Sequence, residues 1–162
     1  MGASLSGDRL ADVSPDFDAI KTLLSETVPF VATLGLEYLE LSETRAVLRL
    51  RDEPSFHNHV GGLHAGALFT LAESASGAIV IASFSDLLDR VTPLAASAEI
   101  AYRKLARGPV TAEATLQRPA AEVRNELANT GKTVQFPVAI TLRNVEEVTT
   151  AQMTVRWALK PR

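Results

Sequence analysis

Residues 65–83 read Ala-Gly-Ala-Leu-Phe-Thr-Leu-Ala-Glu-Ser-Ala-Ser-Gly-Ala-Ile-Val-Ile-Ala-Ser. At helical spacing, Leu68, Leu71, Ala72, Ala75 and Ile79 fall on one face, and Gly66, Thr70, Glu73 and Gly77 on the opposite one. The rest of the circumference is also apolar: Ala67, Phe69, Ala78, Val80 and Ile81. A helix apolar nearly all round is a buried one. A chain that buries such a helix at its centre must cover it with something else.

The flanking sequence supplies that cover. Before the helix, Ala46, Leu48 and Leu50 alternate with Arg45, Arg49 and Arg51, the pattern of a half-buried strand. After it come four more period-2 segments. Ala96, Ala98, Ile100 and Tyr102 form the first inward set, and Val110, Ala112, Ala114 and Leu116 the second. Val134 to Leu142 and Ala151 to Leu159 form the third and fourth. One polar face on each predicts an antiparallel sheet covered on one side. Pro137 lies inside the third segment and cannot donate to a ladder, so an edge or a bulge is expected there. Pro119 to Ala128 reads as a short helix stopped near Gly131.

At the other end, Ser14-Pro15-Asp16 reads as a helix start, and Phe17, Ile20, Leu24 and Val28 share one face before Pro29 stops it. Residues 1–13 read as a loose leader, and Met1-Gly2 with Ser6 also fits a myristoylation pattern. The expectation is an α+β chain: a flexible leader over 1–13, then one domain over 14–162. In it, one long central helix is wrapped by five to six antiparallel strands, with an N-terminal helix beside them.

Composition narrows the function. The chain has 162 residues, 46% hydrophobic and 22% charged, enough for one sizeable core. Sixteen Lys and Arg against nineteen Asp and Glu give a net charge of −3, no global basic excess of the kind that binds nucleic acid. With no cysteine, thiolate metal sites, disulfides and cysteine nucleophiles are absent, and a reducing cytoplasm fits. The longest uninterrupted apolar run, Ala78 to Ala82, is too short to span a bilayer, so no membrane partner is expected.

Glu73 is the central helix's only formal charge. It either faces water or a strand arginine, or it is a desolvated carboxylate and a candidate general base or nucleophile. Thr70 and Gly77, one turn away on each side, leave a slot for substrate beside it. All three histidines, His57, His59 and His64, lie just upstream. With Glu73 they have the ligand number of a catalytic zinc site but no recognised metal spacing, so no metal is expected. His64 otherwise stands at the N-cap, with the first backbone N–H groups from Ala65 onward forming an oxyanion site. Gly61, Gly62 and Gly66 match no nucleotide-loop pattern. Arg103, Lys104 and Arg107 form either a solvated turn or a phosphate contact.

The run Asn58-His59-Val60-Gly61-Gly62-Leu63-His64-Ala65-Gly66-Ala67-Leu68-Phe69-Thr70-Leu71-Ala72-Glu73 resembles the hotdog-fold acyl-CoA thioesterases. It is most similar to the phenylacetate-pathway-type branch and its uncharacterised, DUF4442-like relatives. That branch shows Asn, five residues, then His-Gly-Gly, and an acid eight to nine positions after the His. Here these are Asn58, His64 and Glu73, and the likeness extends over roughly residues 20–160, with Ile100-Ala101-Tyr102-Arg103 and the strand carrying Trp157. It implies hydrolysis of an acyl-CoA thioester, with coenzyme A part of the substrate and no bound cofactor. The carbonyl oxygen would sit on the Ala65 N–H beside Gly66, helped by the Asn58 amide, with His64 orienting it. Glu73 would activate water or attack directly. The site would lie between the subunits of a homodimer, with pairing of dimers left open. Two departures stand out: Ala65 replaces the first glycine, and Ala95 falls where some relatives place water with Ser or Thr, leaving Thr92 or Ser97 as substitutes. A hydratase or dehydratase of the same fold, or a binding-only member, are the rival readings.

Overall fold

The structure is a computed structural model that describes residues 15–162. The leader and Ser14 lie outside the described residues. Helix α1 (Phe17–Thr27) is capped by Asp16, whose side chain accepts the Ala19 N–H at 3.0 Å. The cap thus falls two residues beyond the expected Ser14, at a residue whose carboxylate reaches the free amides. Pro29 does not simply stop this helix. Its missing N–H and fixed φ suit a first helical position, and it opens a second short helix, α2 (Pro29–Leu34). Gly35 then ends α2 in the left-handed region, at φ 59°.

The strands are β1 (Glu37–Leu41), β2 (Ala46–Leu50), β3 (Val91–Tyr102), β4 (Val110–Leu116), β5 (Val134–Asn144) and β6 (Thr149–Pro161). They form one antiparallel sheet in the order β1-β2-β4-β5-β6-β3. The long helix α3 (Ala65–Ser83) lies against it, with Leu71, Ala72, Ala75 and Ile79 fully buried. Inward Leu48, Ala112, Phe136, Val138, Val155 and Leu159 complete that core. This is the hotdog arrangement. By length and composition α3 could cross a membrane, but the sheet wraps it as a core helix. Helix α4 (Ala120–Thr130) is held to the far end of α3 by Arg124, which donates to Asp86 and to the Ser83 carbonyl.

Three expectations need correction. β1 was not foreseen, because Glu-Tyr-Leu-Glu-Leu holds too few apolar positions to show alternation. Pro137 sits neither on an edge strand nor at a bulge: β5 is interior, and its register shift falls between Leu142 and Arg143. The β4 ladder ends at Leu116 opposite Val138, so on that side Pro137 needs no donor, and its carbonyl accepts from the Gln117 N–H at 3.1 Å. Finally, β3 has no buried inward face over 94–99, because it is an edge strand paired only with β6.

Candidate functional site

The loop before α3 is built around Asn58. Its side-chain oxygen accepts the N–H groups of Val60 (3.0 Å) and Gly62 (3.1 Å), and its amide donates to the Leu63 carbonyl at 3.3 Å. Its backbone N–H donates to the Gly62 carbonyl at 2.8 Å. Gly62 allows a close approach no other residue could make. A Cβ there would lie 2.6 Å from Leu105 Cδ1 and 2.7 Å from the Ala106 carbonyl oxygen. Upstream, His57 hydrogen-bonds Asp52, which also accepts the Gly108 N–H at 3.0 Å. Loop 52–64 is therefore tied to loop 103–108, and Asn58 is first of all its organiser. One of its two amide hydrogens remains for a substrate.

That loop delivers His64 to the N-cap of α3, where its Nδ1 accepts the Gly66 N–H at 2.9 Å. A neutral His64 bonded in this way carries its proton on Nε2, a donor aimed away from the helix. Gly66 therefore has no N–H to offer a ligand. The Ala65 and Ala67 N–H groups have no acceptor among the described residues, and Ala65 is exposed. Ala65 thus presents an exposed N–H at the positive end of a nineteen-residue helix. The Ala65 carbonyl accepts a hydrogen bond from the Tyr102 hydroxyl at 3.0 Å, which pins this turn to β3.

A cleft of about 350 Å³ brings together Asn58, Ala65, Tyr102, Arg103 and Lys104. The Arg103 and Lys104 backbone N–H groups both donate to the Thr150 carbonyl, at 2.8 and 3.1 Å. Their side chains are exposed and form no ion pair among the described residues. Arg107 is exposed in the same loop but does not line the cleft. His64, Gly66 and Thr70 open onto a second cleft instead. His59 is exposed, and no cluster suited to a metal ion occurs among the described residues.

Glu73 is half-buried and makes no ion pair among the described residues, and burial pushes its carboxyl above the ordinary carboxylate value. Its turn is braced from behind. Trp157 Nε1 donates to Ser76 Oγ at 2.9 Å, and Ser76 Oγ donates to the Glu73 carbonyl at 2.7 Å. Gly77 lies against the same indole, which a Cβ would meet at 3.4 Å. The phenol of Tyr38, on β1, is pushed up to about 12, first by its own burial and then by the charge of Glu73. Tyr38 and Tyr102 are the two neighbours the sequence did not single out as site residues. Nothing in their spacing links them to α3, because both reach it through the sheet. Glu73 stands eight residues beyond Ala65, about 12 Å along the helix axis. Within one chain, then, the carboxylate and the Asn58–Ala65 cleft are apart.

A helix wrapped in this sheet, with an open N-terminus above an organised Asn-His loop, places the chain in the hotdog-fold thioesterase superfamily. Within it, residues 18–158 match the model of the domain of unknown function DUF4442, and the chain belongs to that family. Among solved structures it is similar to a protein of unknown function from Pseudomonas aeruginosa described as a probable thioesterase. That match has 25% identity and a TM-score of 0.79, and covers 91% of this chain and 97% of that one. It is also similar in fold to the E. coli PaaI protein from the phenylacetic acid degradation operon, at 17% identity and a TM-score of 0.72, covering 91% and 95%. A third, S. sahachiroi AziG, matches at 22% identity with a TM-score of 0.67, covering 83% and 98%. No curated protein matches the chain.

Proposed function

We propose that this protein hydrolyses acyl thioesters of coenzyme A, acting as a homodimer whose sites are shared between subunits. One observation carries the reading. The Ala65 N–H at the α3 terminus shares a cleft with Asn58 and two cations that form no ion pair among the described residues, while the desolvated Glu73 stands too far along the same helix to reach it. A second copy brings the two halves together. The exposed β3 edge, with Leu94 to Glu99 open to solvent, is the surface that pairs them.

The thioester oxygen sits on the Ala65 N–H, with the second Asn58 amide hydrogen and His64 Nε2–H beside it. Arg103 and Lys104, with Arg107 nearby, receive coenzyme A phosphates. The partner's carboxylate, that of Glu73, takes a proton from water as its oxygen bonds to the carbonyl carbon. Negative charge gathers on the oxygen held at Ala65. The C–S bond then breaks, the oxyanion re-forms a carbonyl, and the thiolate leaves to collect the proton. Coenzyme A enters as part of the substrate and leaves as the free thiol, and a cytoplasmic site of action fits that substrate.

Release of free thiol from an acyl-CoA tests the proposal and separates it from a hydratase and from a binding-only role. Wild type should turn over, and Glu73→Gln should lose at least ~10²-fold in kcat, the scale of a lost acid–base group. Since the raised group must be ionised to act, activity should climb with pH along an acid limb centred above the ordinary carboxylate value. The linked stability effect has the opposite sign. The folded pKa exceeds the unfolded one, so stability falls as pH rises from the ordinary value through the folded one. Glu73→Gln should therefore melt higher than wild type at neutral pH. No thiol release from any acyl-CoA, with a folded dimer in hand, would end the proposal.

A further inference from the structure

We propose that the second cleft, between α2 and the opening turns of α3, takes the acyl group, and that it selects bulky apolar acyl chains or aryl groups over acetyl and over acyl groups ending in a carboxylate. The inference rests on the thioesterase reading and adds its substrate class. This cleft encloses about 500 Å³, within the usual range for small-molecule sites of roughly 300–1,000 Å³. Three aromatic rings, Phe30, Phe56 and Phe69, line it together with Leu34 and Ala67. Among the described residues, His64 is its only ionisable lining residue.

Position relative to the oxyanion turn is what assigns the occupant. Ala65 and Leu68 line the basic cleft, while Gly66, Ala67, Phe69 and Thr70 line the second one. The two clefts therefore flank the first turns of α3. A carbonyl on the Ala65 N–H stands between them. Its thiol side leads toward Arg103 and Lys104, where phosphates belong. Its acyl side leads over His64 and Gly66 into the aromatic cleft. The Thr70 hydroxyl donates to the Gly66 carbonyl at 2.9 Å, so it is turned back on its own helix and presents no free proton to a ligand.

Two further features agree. Phe30 is 59% exposed although its α2 neighbours Val31 and Leu34 are buried, so a large apolar side chain stands at the cleft mouth with nothing over it among the described residues. A terminal carboxylate on the acyl chain would be desolvated there with no Lys or Arg among the described lining residues to meet it. Those two facts give the selectivity its direction: larger apolar groups gain, dicarboxylic ones lose.

The test compares kcat/KM for acetyl-, hexanoyl-, phenylacetyl- and succinyl-CoA. Wild type should favour hexanoyl and phenylacetyl over acetyl by at least ~10-fold, with succinyl below both, since a single methylene in a hydrophobic pocket is worth roughly 10-fold or more. Ala67→Phe fills the cleft and should lower the phenylacetyl-to-acetyl ratio by at least ~10-fold. Phe30→Ala, at an exposed site that should not disturb folding, should lower the same ratio by ~3-fold. A binding measurement does not depend on turnover. By calorimetry on the Glu73→Gln background, hexanoyl-CoA should bind tighter than free coenzyme A, and Ala67→Phe should erase the difference. If neither variant changes the ratio while thiol release persists, the cleft does not hold the acyl group and the thioesterase reading stands. If nothing is hydrolysed but Ala67→Phe still erases the binding difference, the hydrolytic reading fails and the cleft assignment stands. If Phe30→Ala instead weakens the dimer at unchanged ratio, a second copy covers the cleft and the proposal is overturned.

Discussion

The sheet has two edges, and they are built in opposite ways. β1 is five residues long, its register shifts between Tyr38 and Glu40, Glu37 is ion-paired to Arg49 on β2, and Glu40 to Arg45 just before it. Shortness, a bulge and charge are the means by which an edge strand avoids pairing with another chain. β3 is twelve residues long with Glu99 as its one charge, and Leu94, Ala95, Ala96, Ser97 and Ala98 are all exposed. Small neutral side chains let a second backbone approach. The same sheet is thus closed at one edge and left open at the other, and the open edge ends at Tyr102 in the basic cleft. In the proposed dimer, pairing and chemistry therefore meet at that end.

The largest effect should come from closing the open edge. Ala96→Lys/Ala98→Lys places like charges against each other when two β3 strands pair antiparallel. Sedimentation should then show a monomer, and thiol release should fall by at least ~10²-fold with Glu73 and the Asn58 loop untouched. A dimer of unchanged strength would show that β3 is not the joint.

Complementation sharpens the same point. Glu73→Gln subunits and Ala65→Pro subunits should each be nearly inactive, the second because proline removes the oxyanion donor while suiting a first helical position. Mixed equally and allowed to exchange, half the dimers become hybrids with one intact site in two. Activity should recover to about one quarter of wild type, as isologous pairing requires. Recovery near zero would place both groups in one chain's site.

Much of this was legible in the sequence, and the reason is periodicity. The bounds of α3 and the inward residues of β2, β4, β5 and β6 follow from the 3.6 and 2.0 repeats alone. β1 escaped because two glutamates and a tyrosine interrupt its alternation, and α2 because proline reads as a stop as readily as a start. In the site, Asn58, Ala65, Arg103 and Lys104 meet in one cleft although some forty residues separate the two loops. Composition could not show that Asn58 first serves its own loop, nor that the Gly66 N–H is taken by His64. Those are hydrogen-bond choices, settled by geometry rather than by residue type.

A smaller effect tests the link between the open edge and the oxyanion turn. Tyr102→Phe keeps the ring that lines the cleft and removes the bond to the Ala65 carbonyl. One net hydrogen bond of about 0.5–1.5 kcal/mol corresponds to a loss of ~3–10-fold. If Tyr102 positions the turn, the loss should fall on kcat with KM and the dimer unchanged. A rise in KM alone would make it a binding residue instead.

The smallest effect belongs to the closed edge. Leu39 occupies the β1 register shift and is 46% exposed, so its side chain supports neither the core nor a ladder partner. Leu39→Lys adds one more charge to an edge already defended by two. Surface changes of this kind usually stay within about 0.5 kcal/mol of wild-type stability. Thiol release should remain within ~2-fold, and the sedimentation profile should not move. The comparison with Ala96→Lys/Ala98→Lys is then direct, since both variants put lysine on an edge strand and only one should dissociate the dimer. If Leu39→Lys yields the monomer and the β3 variant does not, the roles of the edges are reversed. The subunits would then join through β1, on the side where Tyr38 neighbours Glu73.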